Sequence, residues 1–117
     1  MRTLQLDLDS DSDAPRLVRH TVRTWLDDID CSDETRIDVT LLVNELVTEA
    51  VHNAASRIHS QIAFDTGRLR FDIRDDRATT APRTTMLPLD LLAEQITVAW
   101  GRSTVDADTY TWGEVFC

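Results

Sequence analysis

The sequence predicts an α+β fold: a two-layer α/β sandwich in which a mostly antiparallel sheet carries helices packed on one face. Three observations predict it. Apolar and polar residues alternate in the first segment and again from Ser60 onward, which is the two-residue period of half-buried strands. Between them, two segments repeat apolar residues at helical spacing, and the second is the longest periodic run in the chain. The strand-like segments are joined by Thr66-Gly67 and by VDAD, connections that suit hairpins. At 117 residues and 42% hydrophobic, the chain can build one core but is too short for two, so a single domain over 1–117 is expected.

The opening TLQLDLD alternates Leu4, Leu6 and Leu8 with polar residues and reads as a short edge strand. DSDSDAP then offers Ser12 or Asp13 as an N-cap with Pro15 in the first turn. Leu17, Val18, Val22, Trp25, Leu26 and Ile29 follow at helical spacing, which defines the first helix. It ends near DDIDCSDE, where Ser32 can cap a second helix whose first turn sets Asp33 and Glu34 against the positive end of the helix dipole. That helix is expected from about Asp33 to Ala55, with Leu42, Val43, Leu46, Val47, Ala50, Val51 and Ala54 as its apolar stripe. QIAFDT and RLRFDIR form a hairpin with Ile62, Phe64, Leu69, Phe71 and Ile73 as core candidates. DDRATTAPRTTMLP is too polar and too broken for a core element, and a loop of that length is expected to be a lid or a disordered segment. PLDLLAEQI has helix character with Pro88 at its start, and TVAWGRST and TYTWGEVF close the chain as a second hairpin. The expected order is β-α-α-β-β-loop-α-β-β, with the sheet's second face open or covered by a partner.

Charge excludes one class of ligand. The chain has 21 acids against 12 bases, a net charge of -9, and every base is arginine. A surface this acidic repels phosphate backbones, so no nucleic acid is expected as a partner. No stretch approaches the roughly 20 apolar residues that span a bilayer, and the N-terminus has no apolar signal region. A cytoplasmic protein with no membrane partner is expected. Cys31 and Cys117 form no metal or redox motif, their spacing establishes no disulfide, and free thiols are the expectation.

The chemistry concentrates in ELVTEAVHN, residues 45–53, on the polar side of the second helix. Glu45 and Glu49 lie four residues apart, and two like charges at that spacing cost an exposed helix only about 0.2–0.5 kcal/mol. The residues alone therefore fit a solvated face as well as a site. Glu49 and His52 make an E-x-x-H step, but di-iron bundles need a second copy that the sequence lacks. Asp75 and Asp76 can simply end a strand. Trp25, Trp100 and Trp112 read as core or interface residues, and His20 and His59 as surface groups.

The order of elements, LLVNELVTEAVHNAA, the following LRFDIRDD and the closing WGRST and TYTWGEVF resemble the GHKL (Bergerat) ATPase domains of bacterial anti-sigma-factor serine kinases. The resemblance runs from about Pro15 to Phe116. It implies that Glu45 is the general base acting on the attacking nucleophile, and that Asp75 reads adenine. Glu49 falls where the family has an asparagine that helps hold Mg2+, which implies a nucleotide-binding and metal role, and His52 and Asn53 complete the nucleotide-binding turn. The cofactors implied are ATP and Mg2+ if the site is functional, and otherwise none.

Two departures matter. Asp75 is followed by Asp76 and Arg77 in place of small residues, and TTMLPLDLL holds no glycine where backbone N–H groups would close over phosphates. Gly67, Gly101 and Gly113 all fit hairpins or strands better. The resemblance thus implies a regulatory interaction domain with an eroded ATP site, binding a sigma factor, a STAS-type anti-sigma antagonist or a second copy of itself as a homodimer. The alternative it implies is an active Mg-ATP-dependent serine/threonine protein kinase that phosphorylates a STAS-type antagonist, with the 76–88 loop as lid.

Overall fold

A computed structural model describes residues 1–53, 56–76 and 87–117. In chain order these form β1 (Arg2–Asp9), α1 (Ala14–Leu26), α2 (Asp33–His52), β2 (Arg57–Asp65), β3 (Arg68–Asp75), α3 (Leu87–Ile96), β4 (Ala99–Val105) and β5 (Asp108–Phe116). The expected order of elements is the observed one. The proposed lid lies almost wholly at 77–86, and the expected end of the long helix at 54–55; both fall outside the described residues.

The strands make one sheet in the order β1-β2-β3-β5-β4, antiparallel at every pairing. Its register follows from the two-residue period. Leu4 pairs with Ile62, Ile62 with Phe71, and Phe71 with Gly113, so the apolar residues of successive strands share one face. Ile58, Ile62, Leu69, Phe71, Ile73 and Val115 are buried there beneath Val39, Leu42, Val43, Leu46, Val47 and Ala50 of α2. Val18, Val22 and Leu26 bring α1 onto the same core, and Leu89 and Ala93 bring α3. The opposite face carries the alternate residues, among them Gln5, His59, Arg70, Asp72 and Trp112, and no described helix covers it.

Local chemistry accounts for the boundaries. Ser32 caps α2 by accepting from the Thr35 N–H at 3.1 Å, and Asp33 and Glu34 occupy the first turn. Arg36 then donates to the carbonyls of Leu26 (3.1 Å) and Ile29 (2.6 Å), tying the α1–α2 connection to the helix that follows it. Asp13 stands at the N-cap of α1 with Pro15 behind it, but its side chain makes no capping bond; its own N–H is held by Asp11 at 2.9 Å. The β2–β3 turn needs left-handed backbone at Thr66 (φ 52) and Gly67 (φ 74), the geometry of a tight hairpin. Gly113 serves a different purpose: a Cβ there would stand 2.4 Å from Phe71 Cζ, so the bare backbone makes room for the ring.

Two expectations are corrected. Leu17 does not join the core stripe of α1; it is 51% exposed, because the helix turns Val18, Val22 and Leu26 inward. The free thiols are instead a disulfide between Cys31 and Cys117, with Cα atoms 4.5 Å apart across 86 residues of sequence. Cys31 sits in the α1–α2 connection, and Cys117 follows β5, where its N–H donates to the Gly67 carbonyl at 2.8 Å. Only the folded chain brings these two points together.

Candidate functional site

Helix α2 carries three of the five residues singled out from the sequence and ends on a fourth, Asn53, and it sends them to different places. Glu49 faces the sheet. It is 2% exposed, and its two carboxylate oxygens lie 3.1 and 3.2 Å from Arg102 Nη2 on β4. Arg102 is fixed from a second side, since its Nε donates to Thr111 Oγ1 at 3.0 Å on the neighbouring strand. Burying two charges carries a desolvation penalty of several kcal/mol per ion, which good geometry and further hydrogen bonds must offset. The pair is therefore a structural commitment of this chain.

Asp75 ends β3 on the same inward face, 2% exposed. In the register Ile73 pairs with Thr111 and Thr111 with Arg102, while Asp75 pairs with Thr109 one inward row along. The space between α2 and the sheet thus gathers Glu49, Arg102 and Asp75.

Glu45 lies one helical turn before Glu49 but is less deeply covered. It is half-buried at the end of a groove of about 650 Å³ between α1 and α2. Arg19 and Arg23 line one side, and Asp33, Arg36, Ile37, Thr40, Leu41 and Asn44 the other. Ile37 is 67% and Leu41 43% exposed, large apolar side chains left in water on a helix. Among the described residues, the buried Asn44 Oδ1, next to Glu45 in the chain, has no hydrogen-bond partner.

His52 and Asn53 are brought to neither place. His52 is exposed on the last turn of α2. Asn53 closes the helix: its backbone N–H and its side-chain Nδ2 both donate to the Glu49 carbonyl, at 3.0 and 2.8 Å.

Asp76, which the sequence marks as a strand-ending residue and a departure from the resemblance, has a defined task. Its carboxylate accepts from the Arg57 N–H (2.9 Å), the Ser56 N–H (2.8 Å) and the Ser56 hydroxyl, pinning the start of β2 beside the end of β3. The Arg57 N–H, with the Ser56 hydroxyl next, pulls its pKa from an ordinary 3.8 down to about 2. A depressed carboxylate contributes stability that is full above its unfolded pKa, here 3.8, and is lost as pH falls through about 2. Asp76→Asn is expected to lower stability at pH 7 and to flatten this part of the acid-unfolding profile, read by circular dichroism; an unchanged profile would contradict the assignment.

Arg102 is the site residue that sequence reasoning missed. Its signal was present: the period of β4 sets Trp100, Arg102 and Thr104 on one face, and a charge on a face bound for the core needs a partner. Among the described residues, no group of three or more His, Cys, Asp or Glu is arranged to hold a metal ion. On the open sheet face Arg57 pairs with Asp9, the His59 ring shares a hydrogen bond with Asp7, and Arg70 pairs with Asp72 and Glu114, with Arg70 stacked 4.7 Å over Trp112. No helix among the described residues is long and apolar enough to cross a membrane.

No family model matches the chain, and no curated protein matches it. Solved structures do. The chain aligns with the structure of the RsbU and RsbW domains of Rv1364c from Mycobacterium tuberculosis at a TM-score of 0.81 and 19% identity. That match covers 99% of this chain and 32% of the other, so this chain spans about a third of the protein it resembles there. It also aligns with the SiaB-SiaC complex from Pseudomonas aeruginosa at a TM-score of 0.76 and 11% identity, covering 96% of this chain and 88% of that one. At these identities the likeness speaks for the fold alone, and the fold is the two-layer α+β sandwich with a five-stranded antiparallel sheet that the sequence predicts.

Proposed function

We propose that this chain is a regulatory protein-interaction domain of the anti-sigma type, with an eroded nucleotide site, which acts by binding a sigma factor or a STAS-type anti-sigma antagonist. The observation that carries the reading is the likeness, over 99% of the chain, to a structure that includes an RsbW domain. The SiaB-SiaC neighbour is itself a complex of two proteins, which agrees with a partner-binding role. The groove between α1 and α2 supplies a surface of suitable chemistry: Ile37 and Leu41 offer exposed apolar area, and Arg19 and Arg23 offer cations that can pair with carboxylates.

Calorimetry with purified sigma factors and STAS proteins of the source organism tests the reading. Micromolar or tighter binding to one of them is expected, and Leu41→Asp, an exposed change that leaves the core intact, should weaken it about tenfold or more. If none of them binds, the reading fails.

A second reading, the serine/threonine kinase, is favoured by the position of Glu45 at the end of that groove, where a docked partner could present a hydroxyl. Glu45 would take the hydroxyl proton, and phosphoryl transfer would depend on ATP and Mg2+ held nearby by Glu49 and Asp75. Incubating a bound STAS partner with Mg-ATP and finding no phosphoserine by mass spectrometry would remove this reading.

A further inference from the structure

We propose that Arg102 is the resident cation of the space between α2 and the sheet, standing where the resemblance implies a divalent metal, so that this space is closed to Mg2+ and Mn2+. The inference deepens the interaction-module reading, since it gives the eroded site a physical cause.

A hard divalent ion demands an oxygen shell, supplied by carboxylates, carbonyls and waters with free lone pairs. The Glu49 carboxylate cannot offer one on those terms. Its side chain has no exposed area, and both of its oxygens already face a single guanidinium nitrogen at 3.1 and 3.2 Å. A metal bound there would stand beside a fixed positive charge. Arg102 is poorly placed to withdraw, because Thr111 holds its Nε from the next strand.

Charge and donor counts point the same way. Arg102 already brings one positive charge to the space that Glu49 and Asp75 share, and an entering ion would set two more beside it. Among the described residues no set of three His, Cys, Asp or Glu groups gathers to receive it. Among the described residues, Arg102 Nη1 is buried without a hydrogen-bond acceptor.

The test is Mn2+ binding, followed by electron paramagnetic resonance, for the unaltered protein, Arg102→Gln, and the double variant Glu49→Gln/Arg102→Gln. The unaltered protein is expected to show no Mn2+ binding that depends on Glu49. Arg102→Gln removes the guanidinium from the carboxylate and should bind Mn2+ at least about tenfold more tightly, and the double variant should lose that gain. Should Arg102→Gln prove unfolded, Mn2+ is expected to refold it by replacing the lost counter-ion. Mn2+ binding by the unaltered protein that disappears in Glu49→Gln overturns the proposal. So does an Arg102→Gln variant that neither binds Mn2+ better when folded nor refolds with it. Partner binding is measured separately, so failure of the module reading and failure of this one are distinguishable.

Discussion

Reduction of the Cys31–Cys117 disulfide is expected to lower stability by up to about 4–5 kcal/mol, the chain-entropy value for a closed loop of 86 residues. The bond joins the α1–α2 connection to the end of β5, so it restrains nearly three quarters of the unfolded chain. Native contacts change little on reduction, because Cys117 keeps its backbone bond to Gly67 and Arg36 still holds the α1–α2 connection. The effect should therefore act mainly through the unfolded state and show as a lower urea midpoint for the reduced protein and for Cys31→Ser alike. Coincident unfolding curves for oxidised and reduced protein would contradict it. In a reducing compartment such bonds open, so the reduced value is the one that would govern the domain there.

Arg102→Met is expected to destabilise the domain by about 3–5 kcal/mol, because removing one partner of a buried pair leaves the other charge under-compensated. Glu49, with no exposed side-chain area, has little access to water to make up the loss. Arg57 provides the comparison: its bond to Asp9 is half-exposed, and Arg57→Met should change stability by less than about 1 kcal/mol. The double variant Glu49→Gln/Arg102→Met should recover part of the Arg102→Met loss, since a neutral amide is cheaper to bury than a charge. Chemical denaturation of all four proteins reads these differences. A loss below about 1 kcal/mol for Arg102→Met would mean that the pair is not the buried fixture it is taken for.

What the sequence disclosed and what it withheld divide along the range of the interactions. The Leu4, Leu6 and Leu8 alternation, the α2 stripe and the Thr66-Gly67 turn are written in residues a few positions apart, and the elements and strand register follow from them. Leu17 misleads because helical spacing marks a wide apolar stripe without saying where the neighbouring helix stops covering it. The disulfide spans 86 positions and the Glu49–Arg102 pair 53, and nothing local to either member announces the other. Asp76 looked like a spoiled motif position, yet its lone pairs are taken up by backbone across 19 and 20 positions. ELVTEAVHN was legible as the chemical face of the domain. That it divides into a covered Glu49, a groove-facing Glu45 and a capping Asn53 depends on which element packs over each turn, and only the assembled layers decide that.

The central proposal is that this α+β frame serves protein binding while its inner space, occupied by the Glu49–Arg102 pair, receives no metal-nucleotide complex. Calorimetric titration of the pure protein with Mg-ATP tests it most directly. The account predicts no saturable heat up to about 1 mM nucleotide. Micromolar binding that disappears in Asp75→Asn would contradict it, for the adenine and metal positions would then be in use together.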